Sequence, residues 1–325
     1  MKITRDQLKA WEACIEGYKW FLHTFPEGEA EYQDVLNALA RDDRPADAMW
    51  LMGKAGPDRS AVLEVDGIVA CKHFFAAGKL VIKHGVAIEG YLRAGLGIKA
   101  GHGIEVGEGI KVGEGIKAGR EIKAGEGIEA GWGIEAGHGI KAGTGIKAGK
   151  GIEAETGIEA CTGIEAGTGI EAGWGIKAGT NIKAGWGIKA CEGIEAGWGI
   201  KAGEGIEAGT NIKSGWGIKA GEGIEAGKGI EAGWAIKAGT GIKAGKVIEA
   251  GTNIKAGTGI EAGWGIKAGE GIEAGWGIEA GWGFGIFAGL RLRLADWSIY
   301  AKVIAKTKPD NLVSGYWVEQ GVPTT

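Results

Sequence analysis

The chain has 325 residues, of which 67 are glycine and only 5 proline, and its formal net charge is −4. Scarce proline excludes collagen and polyproline, and regularly spaced aliphatic residues exclude a disordered glycine-rich linker. A charge so close to neutral supplies neither a broad basic field for nucleic acid nor the acidic excess of a DNA mimic.

The N-terminus, Met1-Lys2-Ile3-Thr4-Arg5-Asp6, is charged and lacks the apolar core of a signal peptide. No run of about 18 apolar residues predicts a membrane span. Thr4 is placed to cap a helix from Arg5 to about Phe25, with Leu8, Trp11, Ile15 and Tyr18/Phe21 at helical spacing. Pro26-Glu27-Gly28 ends it. A second helix over about Ala30 to Ala40 puts Tyr32, Val35, Leu36 and Leu39 on one face, and a third opens at Pro45 and ends at Gly53. Residues 1–57 are therefore expected to form a small α-helical domain. It either caps the next element, shielding its edge from pairing, or docks a partner.

Residues 62 to 290 read as one six-residue repeat. From Ile98 to Ile278 an isoleucine recurs every six residues, 31 times without a slip. The frame extends back through Leu92, Val86, Leu80, Phe74, Ile68 and Val62, and forward to Phe284 and Leu290. The typical unit is G-I-[K/E]-A-G-x. A period of six is a multiple of two and not of 3.6, so it specifies strand. One unit is too short to hold a core, whereas stacked coils bury a continuous isoleucine column. Three units per coil give a triangular β-helix with 18 residues per coil. Residues 58–290 then make about 13 coils, a rod of roughly 60 Å at ~4.8 Å per strand.

The slot after isoleucine is always Lys or Glu, 16 against 15, and faces water. The alanine two residues after isoleucine points inward. Glycines flank slot x, as expected of a tight corner with positive φ, and the corner carries x outward. Hexapeptide acyltransferases place a small residue where this chain has x, often Trp or Glu, so the pattern departs from that family. The I-x-A-G-x-G-I texture resembles bactofilin-type and related polymer-forming solenoids. That resemblance implies a right-handed solenoid and transfers no site residues.

Beyond the repeat, Phe284-Gly-Ile-Phe287 introduces bulk, and Leu290, Leu292 and Leu294 alternate with Arg291 and Arg293. Residues 297–305 and 315–319 read as strands around a Lys-Pro-Asp-Asn turn, so 291–325 is expected to be a β-rich cap.

Chemistry-bearing motifs are sparse. No Asp occurs between Asp66 and Asp296, which excludes a calcium-binding solenoid. The recurring GxG stretches lack the strand-turn-helix context of a dinucleotide site. No catalytic, cofactor or metal residues are assigned, and the chain is expected not to be an enzyme. The four cysteines, Cys14, Cys71, Cys161 and Cys191, are scattered and include no CxxC, as in a cytoplasmic protein with reduced thiols.

Three surface constellations follow from the 18-residue coil. His84, His102, Arg120 and His138 fall on one corner, as a cationic or metal-affine ladder. Trp198, Trp216 and Trp234 fall on another, and Trp264 with Trp282 on one more, where aromatic ladders bind sugars, bases or protein. Lys183, Lys201, Lys219, Lys237 and Lys255 line one face that phosphate could meet. The block Gly179-Thr-Asn-Ile-Lys-Ala-Gly-Trp-Gly-Ile-Lys-Ala recurs at Gly209 with one change, and a related block starts at Gly251. The offsets, 30 and 42, are multiples of six and not of 18. Duplicates therefore land on different faces, which favours a function carried by length, rigidity or diffuse surface. The expected role is a non-enzymatic structural or interaction protein that engages a protein partner or itself through corners or ends, with no membrane and no calcium. The alternatives are nucleic-acid binding or inhibition of a nucleic-acid enzyme by mimicry, and carbohydrate binding by the tryptophan corners.

Overall fold

In the computed structural model, which describes residues 1–281 and 283–320, contacts divide the chain into two units, Met1–Lys150 and Gly151–Thr325. The first opens with four helices. Helix α1 (Arg5–Ala10) starts from a capping box: Thr4 Oγ1 accepts from the Gln7 N–H (3.3 Å) and the Gln7 side chain accepts from the Thr4 N–H (2.8 Å). The expected single helix to Phe25 is in fact two. Glu12, at φ 59°, turns the chain, and Cys14 caps α2 (Ile15–Thr24). The turn brings Leu8 and Phe21 into one core and leaves Ile15, placed on the apolar stripe by spacing, 73% exposed. Helix α3 (Tyr32–Arg41) buries Tyr32, Val35, Leu36 and Leu39 as its periodicity predicts. Helix α4 (Pro45–Ala55) has proline in its first turn and ends at Gly56, φ 71°, beyond the expected Gly53. A short antiparallel pair, Lys2–Thr4 with Glu29–Glu31, ties the N-terminus to the segment before α3.

In both units the repeat folds as a parallel, three-sided β-solenoid, with about 14 turns of about 18 residues in all, where about 13 are expected from the repeat. The regular strand is three residues, Ile-Lys/Glu-Ala, buried at both ends and exposed in the middle. Strands pair one turn apart in unbroken register: Ile104 faces Ile122 in the first unit, and in the second Ile200 faces Ile218, Lys201 faces Lys219 and Ala202 faces Ala220. The first face carries strands such as Ile206–Ala208, the second Ile194–Ala196 and the third Ile200–Ala202. Each buried isoleucine contributes about 1.5–3 kcal/mol of transfer free energy.

Close approach explains the glycines of the regular corners, where positive φ is expected. The positive-φ glycines are Gly28, Gly56, Gly285, Gly289 and Gly315, all outside those corners. A Cβ on Gly203 would instead sit 1.8 Å from the Gly185 carbonyl oxygen one turn back. The glycine before each isoleucine is less confined: a Cβ on Gly205 would meet the Gly223 oxygen at 3.6 Å. That second slot accordingly admits Glu121, Asn181, Asn211, Ala235, Val247 and Asn253. The three asparagines use it, since Asn181, Asn211 and Asn253 accept through Oδ1 from the N–H groups of Gly199, Gly229 and Gly271 one turn on (3.1, 3.1 and 2.9 Å).

The frame slips at both ends. At the start, Leu63 pairs with Leu80 and Val69 with Val86, 17 residues apart. The expected inward residues Val62 and Ile68 therefore point outward, 55% and 70% exposed, while Leu80, Val86 and Leu92 are buried as predicted. At the far end Gly265 pairs with Gly285, so Ile286 takes the inward slot and Phe284 is exposed. Leu290 is also exposed, in a turn and not in a strand. Residues Leu294–Asp296 form a 3-10 turn and Trp297–Tyr300 a helical turn where a strand is expected; strands follow at Lys302–Ala305, Leu312–Ser314 and Tyr316–Glu319. Lys302–Ala305 pairs with Tyr316–Glu319 in parallel. Among the described residues no helix is long and apolar enough to cross a membrane.

Candidate functional site

The variable chemistry of the repeat lies at its corners. Eight corner tryptophans, Trp132, Trp174, Trp186, Trp198, Trp216, Trp234, Trp264 and Trp276, are all exposed. Their surroundings differ. Lys150 lies over Trp132 (4.8 Å to the ring centroid), Lys246 over Trp264 (4.7 Å) and Lys306 over Trp276 (4.8 Å). These rings are covered by a cation. Trp198, Trp216 and Trp234 instead stack on one another between the second and third faces, with centroids 6.5 and 6.3 Å apart and planes tilted by 22° and 23°. The expected partner of Trp264, Trp282, lies outside the described residues. The frame slip brings Phe284 to Trp264, centroids 6.1 Å apart.

On the third face Lys183, Lys201, Lys219, Lys237 and Lys255 stand in register, each opposite the next. The row is bounded by acids: Lys183 pairs with Glu165 and Lys255 with Glu273, at 2.9 and 2.8 Å. Lys201, Lys219 and Lys237 carry no ion-pair partner among the described residues. Elsewhere opposite charges meet across turns, as in Lys111–Glu129 (2.9 Å), Lys213–Glu231 (3.3 Å) and Lys243–Glu261 (3.2 Å). Such exposed pairs contribute about 0–1 kcal/mol each.

The histidine row lies in the first unit. His84 and His102 meet edge to face with centroids 5.7 Å apart, beside the exposed Ile68 and the Lys123–Glu121 pair (2.9 Å). Arg120 and His138 continue the row through backbone bonds, Arg120 N–H to the His102 carbonyl (3.3 Å) and His138 N–H to the Arg120 carbonyl (3.1 Å). Among the described residues no three His, Cys, Asp or Glu side chains are grouped to hold a metal ion. The four cysteines are free and exposed. In the second unit an open groove follows the first face past Lys189, Glu207 and Glu225 to the Thr307–Asn311 loop, with Lys189 and Glu207 3.7 Å apart across it.

A further polar cluster, which spacing alone does not reveal, joins the helices to the first turns. The Tyr91 N–H donates to His73 Nδ1 (3.1 Å), so the other ring nitrogen, Nε2, carries the proton it donates to Asp43 Oδ1 (2.9 Å). Lys72 also donates to Asp43 (2.5 Å). The Lys72 hydrogen bond, followed by that of His73, holds the Asp43 carboxyl below the usual carboxylate range. Nearby, the Gln33 carboxamide donates to the Phe75 carbonyl (2.8 Å) and accepts from the Ala77 N–H (2.9 Å), as a neighbouring strand would. The sequence signal is the missing residue between Val69 and Phe74, since His73 fills the turn that the five-residue step creates.

Residues 1–55 match the family model of the YdhT N-terminal domain. The match ends with α4, before the first solenoid strand at Val62. No curated protein and no solved structure matches the chain.

Proposed function

We propose that the chain is a non-enzymatic interaction scaffold, in which a β-solenoid presents corner rows and terminal segments to a protein partner or to a second copy of itself. One observation carries this reading. Inward slots are Ile and Ala almost throughout, while the exposed corners hold Trp, Thr, Glu, Lys, His and Arg. A fold that repeats its core and varies its corners concentrates recognition on the corners and ends. The texture shared with polymer-forming solenoids fits the same role, and the helices over the first turns give it a module that serves as a cap, a docking element or both.

The test uses the full-length chain with light scattering and affinity capture, and three surface variants: Ile15→Glu on the helical module, Trp216→Ala on a corner and Tyr316→Ala near the C-terminus. Self-association or capture of a defined partner should fall with one of the three. A chain that stays monomeric at high concentration and captures nothing beyond an unrelated solenoid control would sink the scaffold reading.

A further inference from the structure

The tryptophan triad and the unpaired lysines are one surface. Trp198, Trp216 and Trp234 each stand three residues before Lys201, Lys219 and Lys237. Around the corner, the aromatic stack and the lysine row therefore run side by side for the same three turns. The two rows also coincide in extent, because the lysines that lack acidic partners are those beside a tryptophan, and the outer two of the five are neutralised by Glu165 and Glu273. On the other side of the stack, Glu195 and Glu231 face lysines of their own, Lys177 (3.9 Å) and Lys213 (3.3 Å). The uncompensated charge beside the rings is thus positive and confined to one flank.

The backbone holds this corner tightly. The Trp216 N–H donates to the Trp198 carbonyl, the Trp234 N–H to the Trp216 carbonyl and the Thr252 N–H to the Trp234 carbonyl, all at 2.7 Å. Thr252 Oγ1 also donates to the Trp234 carbonyl (3.1 Å). Between Trp198 and Trp216, Ser214 replaces the usual alanine, is buried, and donates through Oγ to the Trp198 carbonyl and to the Gly217 carbonyl. Ser214 is the one change in the block duplicated from Gly179. Duplication out of phase placed that copy beneath Trp198, and its single difference ties the two tryptophan turns together. Thr180 and Thr252, at the same corner position one turn beyond each end, are small and leave the outer faces of Trp198 and Trp234 free of a stacked ring.

The geometry points to a binding strip for single-stranded nucleic acid. Such strands present planar bases that stack on indole rings irrespective of sequence, and a phosphate backbone that tracks a cationic row. A neutral glycan would use the rings and leave the lysines unexplained; a folded acidic protein would use the lysines and leave the stack half-exposed. The five lysines span four turn spacings of ~4.8 Å, roughly 19 Å. At ~3.4 Å per nucleotide that accommodates about five to six nucleotides. The chain as a whole is net negative, −4, so attraction is local and falls steeply with salt. This inference goes beyond the scaffold role and does not require a protein partner.

The experiment measures fluorescence anisotropy of a labelled 20-nucleotide oligothymidylate against the full-length chain across a salt series. The logarithm of affinity should fall against the logarithm of salt with a slope of about −2, from ~0.7 per phosphate contact over three lysines. Trp216→Ala should weaken binding at least about fivefold. Replacing Lys201, Lys219 and Lys237 together with Gln should abolish most of the slope. Replacing Lys117, Lys189 and Lys243 on the first face with Gln removes the same charge elsewhere and should change little. Circular dichroism and hydrogen exchange establish that each variant is folded. Equal losses in the two lysine variants would overturn the strip, as would absence of binding at low salt. Binding of polygalacturonate in place of the oligonucleotide would also overturn it and assign the surface to an acidic glycan. None of these outcomes depends on the capture or self-association that tests the scaffold reading.

Discussion

The helical module and the solenoid bury apolar surface in opposite ways. In the module a few large side chains that occur once each, Ile3, Phe21, Tyr32 and Leu36, converge on one centre. In the solenoid the same isoleucine is buried turn after turn, each against its copies one turn away. The module is therefore a single cooperative unit, while the repeat behaves as a sum of turns and nearest-neighbour interfaces. The difference also shows where variation is free. A unique core constrains every residue around it, whereas a repeated core leaves the corners to diverge.

The largest expected effect contrasts two cavities. Leu36→Ala and Ile200→Ala each remove a fully buried branched side chain and should each cost about 2–5 kcal/mol. Hydrogen exchange should separate them. Leu36→Ala should deprotect α1 to α4 together, and Ile200→Ala only its own turn and the turns on either side. Uniform deprotection of many turns by Ile200→Ala would remove the contrast. A smaller effect tests the glycines. Gly203→Ala forces a methyl against the Gly185 carbonyl and should cost about 1–3 kcal/mol by overpacking, whereas Gly205→Ala, with ordinary contact at 3.6 Å, should be close to neutral. Equal melting temperatures for the two variants would show that the first slot yields as readily as the second.

That pair also marks how far the sequence is legible. The six-residue period specifies strand, three faces, inward Ile and Ala and outward Lys or Glu, because each depends only on alternation within one unit. The reason for the corner glycines is not legible, since the clash on Gly203 comes from a carbonyl 18 residues away. Nor are the frame ends: Val62, Ile68, Phe284 and Leu290 keep an aliphatic or aromatic in phase, yet the chain drops a residue near His73 and adds two before Ile286, so spacing alone misassigns them. The tryptophan triad is legible as a row. That its lysine neighbours lack acidic partners is not, because ion pairing depends on which charge each adjacent turn presents.

The cluster at the module's edge sharpens the comparison through pH. The hydrogen bonds of Lys72 and His73 lower the Asp43 carboxyl below its ordinary value, so the ionised form is favoured when folded. Its contribution is therefore fully present above the ordinary carboxylate pKa of about 3.9 and is lost as pH falls through the depressed value. Asp43→Asn should flatten that acid dependence in the exchange of Phe74–Ala76 and leave protection of the Ile200–Ala202 strand unchanged. An unaltered acid dependence would mean that the contact contributes nothing to docking the helices.

The smallest expected effect lies inside the module and has the opposite sign. Tyr32 is buried, and its hydroxyl finds no hydrogen-bond partner among the described residues. Burial, followed by the nearby Asp58 charge, pushes its phenol well above the ordinary tyrosine range, so the ring stays neutral throughout the working pH range. An unsatisfied buried hydroxyl costs about 1–3 kcal/mol of desolvation, and deleting it while keeping the ring retains the apolar contacts with the core. Tyr32→Phe should therefore leave the module as stable as before or raise its stability by up to about 1 kcal/mol, read from the exchange of α3. The solenoid offers no equivalent gain, because its inward slots are almost wholly Ile and Ala, and its one buried serine, Ser214, is already bonded to the Trp198 and Gly217 carbonyls. A clear loss of stability in Tyr32→Phe would show instead that the hydroxyl is satisfied in solution. It would make the helical core, like the tryptophan corner, a place where a single polar group specifies the packing.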